Sequence, residues 1–594
     1  MKRCFWRIAL ACLAVALNWS ASPAIYQIAP NGLPMRWNFS FYDSALFPDQ
    51  NPTTLAIRYH LSAQGWSAGN RVAELDAIRA AFGQWQAVAG TRIKFEEGAL
   101  VNGATDVNAL DGQNMVVWLP DNRFINGGVT FFPTGLAGIT VLSGSDTDET
   151  IAEADIVLNA NKTWFTKFDP TETDGLFVEE VALHEIGHFL GLNHSPLGGA
   201  TMFWFSPQGV GPQAGLSPDE IAAARTLYGL PATLGALGKV TGTVSLGGAS
   251  VLGANLTIED TNGIVISATV TDAGGRYLLS ALAPGNYTLR ITALDPGSND
   301  ADAYLVRGLE LDPYVGAYNN AAAAFLPLTN QAVTVTAGGT LTKNFTLNAG
   351  NPPFRITGTR QFLTPDGRQN GDICVQLRPG QSNAWVGVYV PTLNSANATL
   401  RLTGGGITYG DTVVVSNALR GMYLVQVPVS VASNAISGLR SLSVTANGST
   451  AWANGFFEVL PAVYDFNFDG LDDVFQRRYW SPFTRTEAAP EADPDGDGFV
   501  NRREATMGSD PTTALSVNYR ITKVKLAVNG TTVTWESAPG RRYQVYSRDN
   551  LQGAAWQAVG GPVTAAAGPA GETAQFLDVR PTDALRFYQV RDAP

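Results

Sequence analysis

Apolar and polar side chains alternate over residues 55–62, with Leu55, Ile57, Tyr59 and Leu61 set against Ala56, Arg58, His60 and Ser62. A period of two predicts a half-buried strand and puts His60 on its polar, solvent-facing side. The period then lengthens. Leu75, Ile78, Phe82 and Trp85 recur every three or four residues, which predicts a helix that Asn70 can cap. Residues 114–119 and 154–159 read as further strands. Val178, Ala182, Ile186, Phe189 and Leu190 form another helical stripe. Ser217, Pro218, Asp219 and Glu220 make a capping box with proline in the first turn, and the helix they open runs to Tyr228 and stops at Gly229.

From about residue 236 the texture changes to short alternating runs broken by glycine, proline and asparagine. That pattern predicts all-β sandwich modules. In the first, 236–348, candidate strands lie at 240–244, 256–259, 265–270, 277–279 and 287–291. A second, immunoglobulin-like sandwich is expected over 352–461, with strands at 399–402, 412–415 and 423–429. A small fibronectin-like sandwich closes the chain at 516–594, around Thr532–Trp535, Tyr543–Tyr546 and Phe587–Val590. These modules carry no cluster of histidine, cysteine and carboxylate, so their expected role is as spacers or as platforms for extracellular protein or polysaccharide.

At 594 residues the chain is long enough for several domains. Met-Lys-Arg followed by an apolar run over 4–17 reads as a secretory leader occupying 1–24, with cleavage after Ala24. The run is too short to span a membrane. Cys4 and Cys12 would leave with it, and Cys374 would remain as the one cysteine of the secreted form. The net charge of -12 argues against nucleic acid and suits a protein that meets calcium outside the cell.

Residues 184–194 read His-Glu-Ile-Gly-His-Phe-Leu-Gly-Leu-Asn-His and hold three of the four histidines of the chain. Residues four apart on a helix lie one above the other, so His184 and His188 can grip one metal ion. Gly191 can turn the chain in the left-handed region and bring His194 back as a third ligand. Glu185 stands beside the first ligand as candidate general base, and three protein ligands leave one tetrahedral position open, as in a catalytic Zn2+ site. The flanking Val181-Ala182-Leu183 and Phe189-Leu190-Gly191-Leu192, the Ser195 after the third histidine and Met202 eight residues past it resemble the metzincin metallopeptidases, and among them the matrixins. The resemblance implies an α+β metzincin (zincin-like) catalytic domain over 25–231, with Met202 as a structural Met-turn. A protein or peptide substrate would lie extended along an edge strand, for which 136–141 is the candidate, and 203–215 would shape the pocket beyond the cut.

Animal matrixins usually hold a second zinc through additional histidines ahead of the metal helix. Here 143–155 is acidic instead, with Asp146, Asp148, Glu149, Glu153 and Asp155, and reads as a solvated loop rather than a calcium site. The family's capping cysteine is missing too, since none lies between Cys12 and Cys374. In the first sandwich, Thr271-Asp-Ala-Gly-Gly-Arg-Tyr277 and Leu282-Ala-Pro-Gly-Asn-Tyr287 resemble the carboxypeptidase-regulatory-like module.

A second motif lies in a small EF-hand-like segment at 463–514. Asp493, Asp495, Asp497, the Phe499 carbonyl, Asn501 and Glu504 fall at the ligand positions of a twelve-residue Ca2+ loop, with Gly498 at its turn. The earlier loop from Asp465 ends in Gln476, lacks the closing bidentate carboxylate and is expected to be weaker. The paired loops resemble dockerin and thrombospondin-type-3 repeats. Together these features imply a secreted, modular zinc endopeptidase. The rival is a surface adhesion or matrix-binding protein whose peptidase domain is inert.

Overall fold

The computed structural model describes residues 5–8, 26 and 33–593, apart from 45–46, 146–148, 173, 207, 294–324, 351, 363–368, 371–373, 394–395, 420, 515–519, 539, 551, 553–554, 567–571 and 580–584. The leader expected over 1–24 lies outside the described residues except for β1 (Phe5–Ile8). The chain divides into two compact units, Met1–Phe468 and Asp469–Pro594. The division falls inside the segment expected to bind calcium.

The first unit begins with strand β2 (Ile57–Leu61), helix α1 (Arg71–Gln86), β3 (Phe95–Glu97) and β4 (Met115–Leu119). The hairpin β5 (Arg123–Ile125) and β6 (Thr130–Phe132) follows, then β7 (Gly138–Ser145) and β8 (Ile151–Asn159). The short pair β9 (Trp164–Phe165) and β10 (Leu176–Phe177) leads into helix α2 (Val178–Phe189). Helices α3 (Pro218–Tyr228) and α4 (Pro231–Ala236) complete this part. The main sheet runs β1-β7-β8-β4-β2-β3. Its inner strands pair parallel, while β7 runs antiparallel to β8.

Both faces of this sheet are covered. Tyr59, Leu61, Val116, Trp118, Ile156 and Leu158 pack with α1 and α2, whereas Met115, Val117, Leu119, Val141 and Val157 pack under the loop and hairpin of 101–132. Parallel sheets are generally buried on both sides, and this overturns the reading of His60. Its ring is only 8 % exposed, with Nδ1 against the Ala99 carbonyl at 3.0 Å and Nε2 against Asp49 at 3.1 Å. It is a buried structural histidine, not a surface one. The cap expected from Asn70 also differs. Helix α1 does start after Asn70, but the Asn70 side chain makes no capping bond. Glu74 reaches back instead and accepts from Trp66 N, Ser67 N and Ser67 Oγ.

Helix α2 is enclosed rather than amphipathic at the surface. All five stripe residues are buried, and so are Glu179 and Glu180. Trp85 of α1 packs on it and donates Nε1–H to the Leu183 carbonyl at 2.9 Å. The carbonyls at the end of α2, which have no partner within the helix, are met by side chains. Trp37 Nε1 donates to Phe189 O at 2.7 Å and Tyr228 Oη to Leu190 O at 2.5 Å.

Beyond α4 each β module is a pair of sheets with its own core. In the first, Gly238–Leu246 and Arg276–Leu282 belong to one sheet; Val265–Val270, Ala254–Asp260, Gly285–Ala293 and Leu328–Val335 make the other. The second pairs a sheet containing Ala384–Val390 and Met422–Val431 with one containing Gly438–Ala446 and Ser449–Val459. The described residues of the second unit include the short α-helices Asp473–Tyr479 and Asn501–Met507 and a last pair of sheets over Val533, Trp535, Tyr543 and Val545.

Trp85 is fully buried and touches α2 along its side, so Trp85→Ala should destabilise the first unit by about 3–5 kcal/mol, the usual cost of emptying a buried aromatic site. Urea unfolding followed by intrinsic fluorescence checks this; a loss below about 1 kcal/mol would mean that α1 does not support the metal helix.

Candidate metal centre

Gly191 sits at φ +87°, and a Cβ there would stand 2.2 Å from the Met35 carbonyl oxygen. With no Cβ the chain ends α2 in a tight reversal, Leu192 N bonding to Gly187 O at 2.9 Å, and returns His194 to the other two histidines. One side-chain nitrogen from each of His184, His188 and His194 lies within 4.8 Å of the others. His188 Nε2 and His194 Nε2 are 3.2 Å apart. Two imidazoles at tetrahedral zinc bond lengths place their nitrogens about 3.3 Å apart, so the spacing suits that ion.

The opposite ring nitrogens are used to aim the ligands. His184 Nδ1 lies 2.8 Å from the Thr201 carbonyl and His188 Nδ1 lies 2.9 Å from the Leu192 carbonyl. Each can donate its N–H there, which fixes the tautomer and leaves the Nε2 lone pair for a metal. Burial, followed by the two neighbouring imidazoles, pushes the His184 pKa well down and favours the neutral, ligating form.

Glu185 is buried beside the triad. Thr140 on β7 donates its hydroxyl to Glu185 Oε2 at 2.6 Å, and Gly138 leaves room, since a Cβ there would lie 2.7 Å from Oε1. Burial pushes the Glu185 carboxyl up to about 7, against the Thr140 bond that lowers it. A pKa near neutrality suits a group that takes up and returns a proton. Sequence reading does not single out Thr140, Gly138 or Thr201. The alternation of β7 could have suggested Thr140, but nothing in the sequence places β7 across from α2.

Met202 lies beneath the helix, 1 % exposed, and a Cβ at Gly187 would come within 2.1 Å of its sulfur. Its backbone is held by both neighbours: Ser195 N donates to Met202 O at 2.8 Å, and Met202 N donates to Glu220 Oε1 at 3.0 Å. Glu220 also completes the capping box at Ser217, both halves of which are present. The following segment sends its first aromatic residue into the second sandwich, where Phe203 meets Phe456 at 5.5 Å. Farther along, Gly211 N donates to the buried Glu180 at 2.7 Å.

Residues 130–229 match the matrixin family model, and residues 238–348 match that of the carboxypeptidase regulatory-like domain. The chain carries a matrixin-like domain over the matched residues. A stretch of 76 residues is 40 % identical to the Probable matrix metalloproteinase 095L of Invertebrate iridescent virus 3 and covers 13 % of this chain and 20 % of that protein. The match therefore spans about a fifth of that relative's length. Among solved structures, "Anomalous substructure of Titin-A168169" is 8 % identical over 38 % of this chain and 97 % of its own, with a TM-score of 0.11. "Marsupial T cell receptor" is 7 % identical over 60 % of this chain and 99 % of its own, with a TM-score of 0.13. Neither of these two carries an argument about fold.

In the matrixin-like domain the acidic run is not simply a solvated loop. Glu153 and Asp155 are buried on β8, where Gly112 N and Met115 N donate to them at 2.8 Å each. Asp146 and Asp148 lie outside the described residues.

The loop ending in Glu504 is assembled locally. One oxygen from each of Asp493, Asp495 and Asp497 lies within 4.8 Å of the others, and Gly498 turns at φ +89°. Glu504 is 1 % exposed, and Glu504 Oε2, Asp495 Oδ2 and Asn501 Oδ1 are buried without a hydrogen-bond partner. Burial pushes the Glu504 carboxyl up to about 8, with the three aspartates adding to it. A helix begins at Asn501, and the Phe499 ring is buried beside Ala538. At the earlier loop, Gln476 Nε2 donates to Asp469 Oδ2 at 2.7 Å and to the Ala488 carbonyl. Amide hydrogens there have the opposite polarity to a closing carboxylate.

His188→Ala, which removes one of three converging nitrogens, should abolish stoichiometric zinc in the purified protein. His60→Ala should keep the zinc and lose about 1–3 kcal/mol of stability, because it removes the imidazole partner of the half-buried Asp49 carboxylate, which keeps the Asn114 N–H. Metal analysis with thermal denaturation separates the two, and a zinc-free His60 variant would place that ring in the metal centre.

Proposed function

We propose that this protein is a secreted, zinc-dependent endopeptidase that cleaves peptide bonds of extracellular proteins, with His184, His188 and His194 as ligands and Glu185 as general base. The observation that carries this reading is the convergence of three Nε2-directed histidines beside a buried carboxylate at an edge strand. Zinc held there would act as a Lewis acid on the scissile carbonyl and lower the pKa of water. Glu185, anchored by Thr140, takes the proton of the attacking water and delivers it to the leaving nitrogen. Among the described residues no strand pairs with the outer edge of 138–141, so an extended peptide can add there by main-chain hydrogen bonds. That would carry the scissile bond past Thr140 and Glu185.

The same reading divides the chain into a leader (1–24), the peptidase domain (25–231), two sandwiches (236–348 and 352–461), a calcium segment (463–514) and a last sandwich (516–594). No helix among the described residues is long and apolar enough to cross a membrane. Ca2+ would be held by Asp493, Asp495, Asp497, the Phe499 carbonyl, Asn501 and Glu504. The buried oxygens of Glu504, Asp495 and Asn501 that lack protein hydrogen bonds support this assignment.

Glu185→Ala should keep zinc and lose peptide hydrolysis by about a hundredfold or more, because the base is not a ligand. Casein cleavage and metal content measured on the same preparation decide it. Near-normal turnover by the variant removes Glu185 from the mechanism, and an intact chain that holds zinc yet cuts nothing favours the adhesion reading.

Calcium should bind the unsubstituted full chain and raise its melting temperature, whereas Glu504→Ala should weaken that binding at least tenfold, since one carboxylate closes the loop with two oxygens. Calorimetric titration of both proteins tests this. Equal affinities would reduce the loop to a polar linker.

A further inference from the structure

The segment that joins the third histidine to Met202 is buried along its whole length, and the two sandwiches of the first unit do much of the burying. Every residue from Gly191 to Ala200 is buried. Leu197 and Ala200 pack in one cluster with Val265 and Ala268 of the first sandwich and with Cys374 and Leu439 of the second. Gly199 N donates to the Gly455 carbonyl at 2.8 Å. A Cβ on Gly198 would stand 2.2 Å from the Phe456 ring, and one on Gly199 would stand 2.3 Å from Leu439. These glycines let the loop be gripped closely.

A polar chain runs through the same place. Asp219, at the start of α3, is 4 % exposed. Its Oδ1 accepts from Ser267 Oγ at 2.7 Å and from Ala268 N at 3.0 Å, both on the Val265–Val270 strand of the first sandwich. Its Oδ2 accepts from Ser195 Oγ at 2.7 Å. Ser195 directly follows His194, its hydroxyl also accepts from Leu197 N at 3.3 Å, and its N–H holds the Met202 carbonyl. One carboxylate therefore takes hydrogen bonds from the sandwich on one oxygen and from the residue after the third histidine on the other. The link to the residue after His194 passes through Asp219 and Ser195.

We propose that the first β-sandwich is a required part of the metal centre, its Val265–Val270 strand fixing His194 through Asp219 and Ser195. Asp219 is then a positioning residue, and the sandwich is not a separately tethered spacer. The inference rests on the zinc reading. An outer partner of a ligand typically changes metal affinity ten- to a hundredfold when removed. Here the partner acts one residue away from the ligand, so the lower end of that range applies.

The test uses the full chain. Asp219→Asn, Ser195→Ala and Ser267→Ala are compared with Thr334→Ala, a change at an exposed bond on the same sandwich. Zinc release to a chelator should speed up about tenfold for Asp219→Asn and Ser195→Ala. It should rise a few-fold for Ser267→Ala, which keeps the Ala268 amide, and stay unchanged for Thr334→Ala. The double variant Ser195→Ala/Asp219→Asn should be no worse than its worse single parent, since both cut one chain of bonds. The cobalt-substituted proteins should show altered d–d absorption in the first three variants, a change that a general loss of stability does not produce. Unchanged release and spectra in Asp219→Asn and Ser195→Ala would overturn the proposal while leaving the zinc site standing. A full-length unsubstituted chain that holds no zinc would overturn both.

Discussion

Gly191 holds φ +87° with the Met35 carbonyl oxygen 2.2 Å from where a Cβ would stand, and the three-histidine arrangement exists because the chain can reverse there. A helix alone can present His184 and His188, but it carries every later residue away along its axis. The reversal spends three residues and brings His194 back against His188. Left-handed backbone costs an L-residue about 1–2 kcal/mol even with open space around it. Here space is absent as well, so glycine is demanded twice at one position. The helix end that the turn creates would be a liability in a buried site. Trp37 and Tyr228 remove it by donating to the last carbonyls.

Around that turn the irregular segments are organised by buried carboxylates rather than by regular pairing. Glu180 holds Gly211, Glu220 holds Met202 and Ser217, and Asp219 holds Ser195, Ser267 and Ala268. Each sits in the first turn of a helix, where the helix dipole favours negative charge. Charge-assisted bonds to backbone N–H groups are about twice as strong as neutral ones. Burial opposes them and pushes the Glu180 carboxyl up to about 8 and Glu220 to about 7. The net gain in stability is accordingly modest. What such carboxylates supply is direction, since a loop pinned at named N–H groups has one position relative to its helix.

The parts that were legible in the sequence are those whose signal is local. The histidine spacing, the left-handed glycine, the capping box at Ser217 and the strand 265–270 all depend on residues within a dozen positions of each other. Alternation puts His60 on a polar face because it reports the pleat of a strand but not what covers its second face. Asn70 stands at the N-cap position that its residue type predicts, but its side chain makes no capping bond, while Glu74 ties down the Trp66 and Ser67 amides ahead of the helix. Thr140, Thr201 and the Asp219–Ser267 link were invisible for the same reason. Each joins elements 17 to 48 residues apart, and no periodicity encodes which of two polar side chains will meet.

Within the first unit the sandwiches are joined by buried contacts as well as by the chain. On the sheet of the first sandwich, Arg290 and Glu259 form an ion pair at 2.6 Å with both side chains under a tenth exposed, and the second sandwich supplies its remaining partners. Arg290 also donates to Asn454 and Ser441 and lies over the Trp452 ring at 3.9 Å. Desolvating two charges costs several kcal/mol, and only a nearly complete set of partners offsets it. Two sandwiches joined only by a flexible linker would not bring Asn454, Ser441 and Trp452 onto this ion pair reliably. The presence of this network means that the sandwiches meet in one orientation. Asn454 then connects this network to the metal centre, since Asn454 and Gly455 are the residues whose carbonyls receive Gly198 N and Gly199 N. The loop between His194 and Met202 is thus bounded by the carboxylates of its own domain and by an interface fixed elsewhere for electrostatic reasons. A chain cut at residue 231 would keep His184, His188 and His194 but lose the Ser267, Ala268, Asn454 and Gly455 contacts that bound the loop after His194.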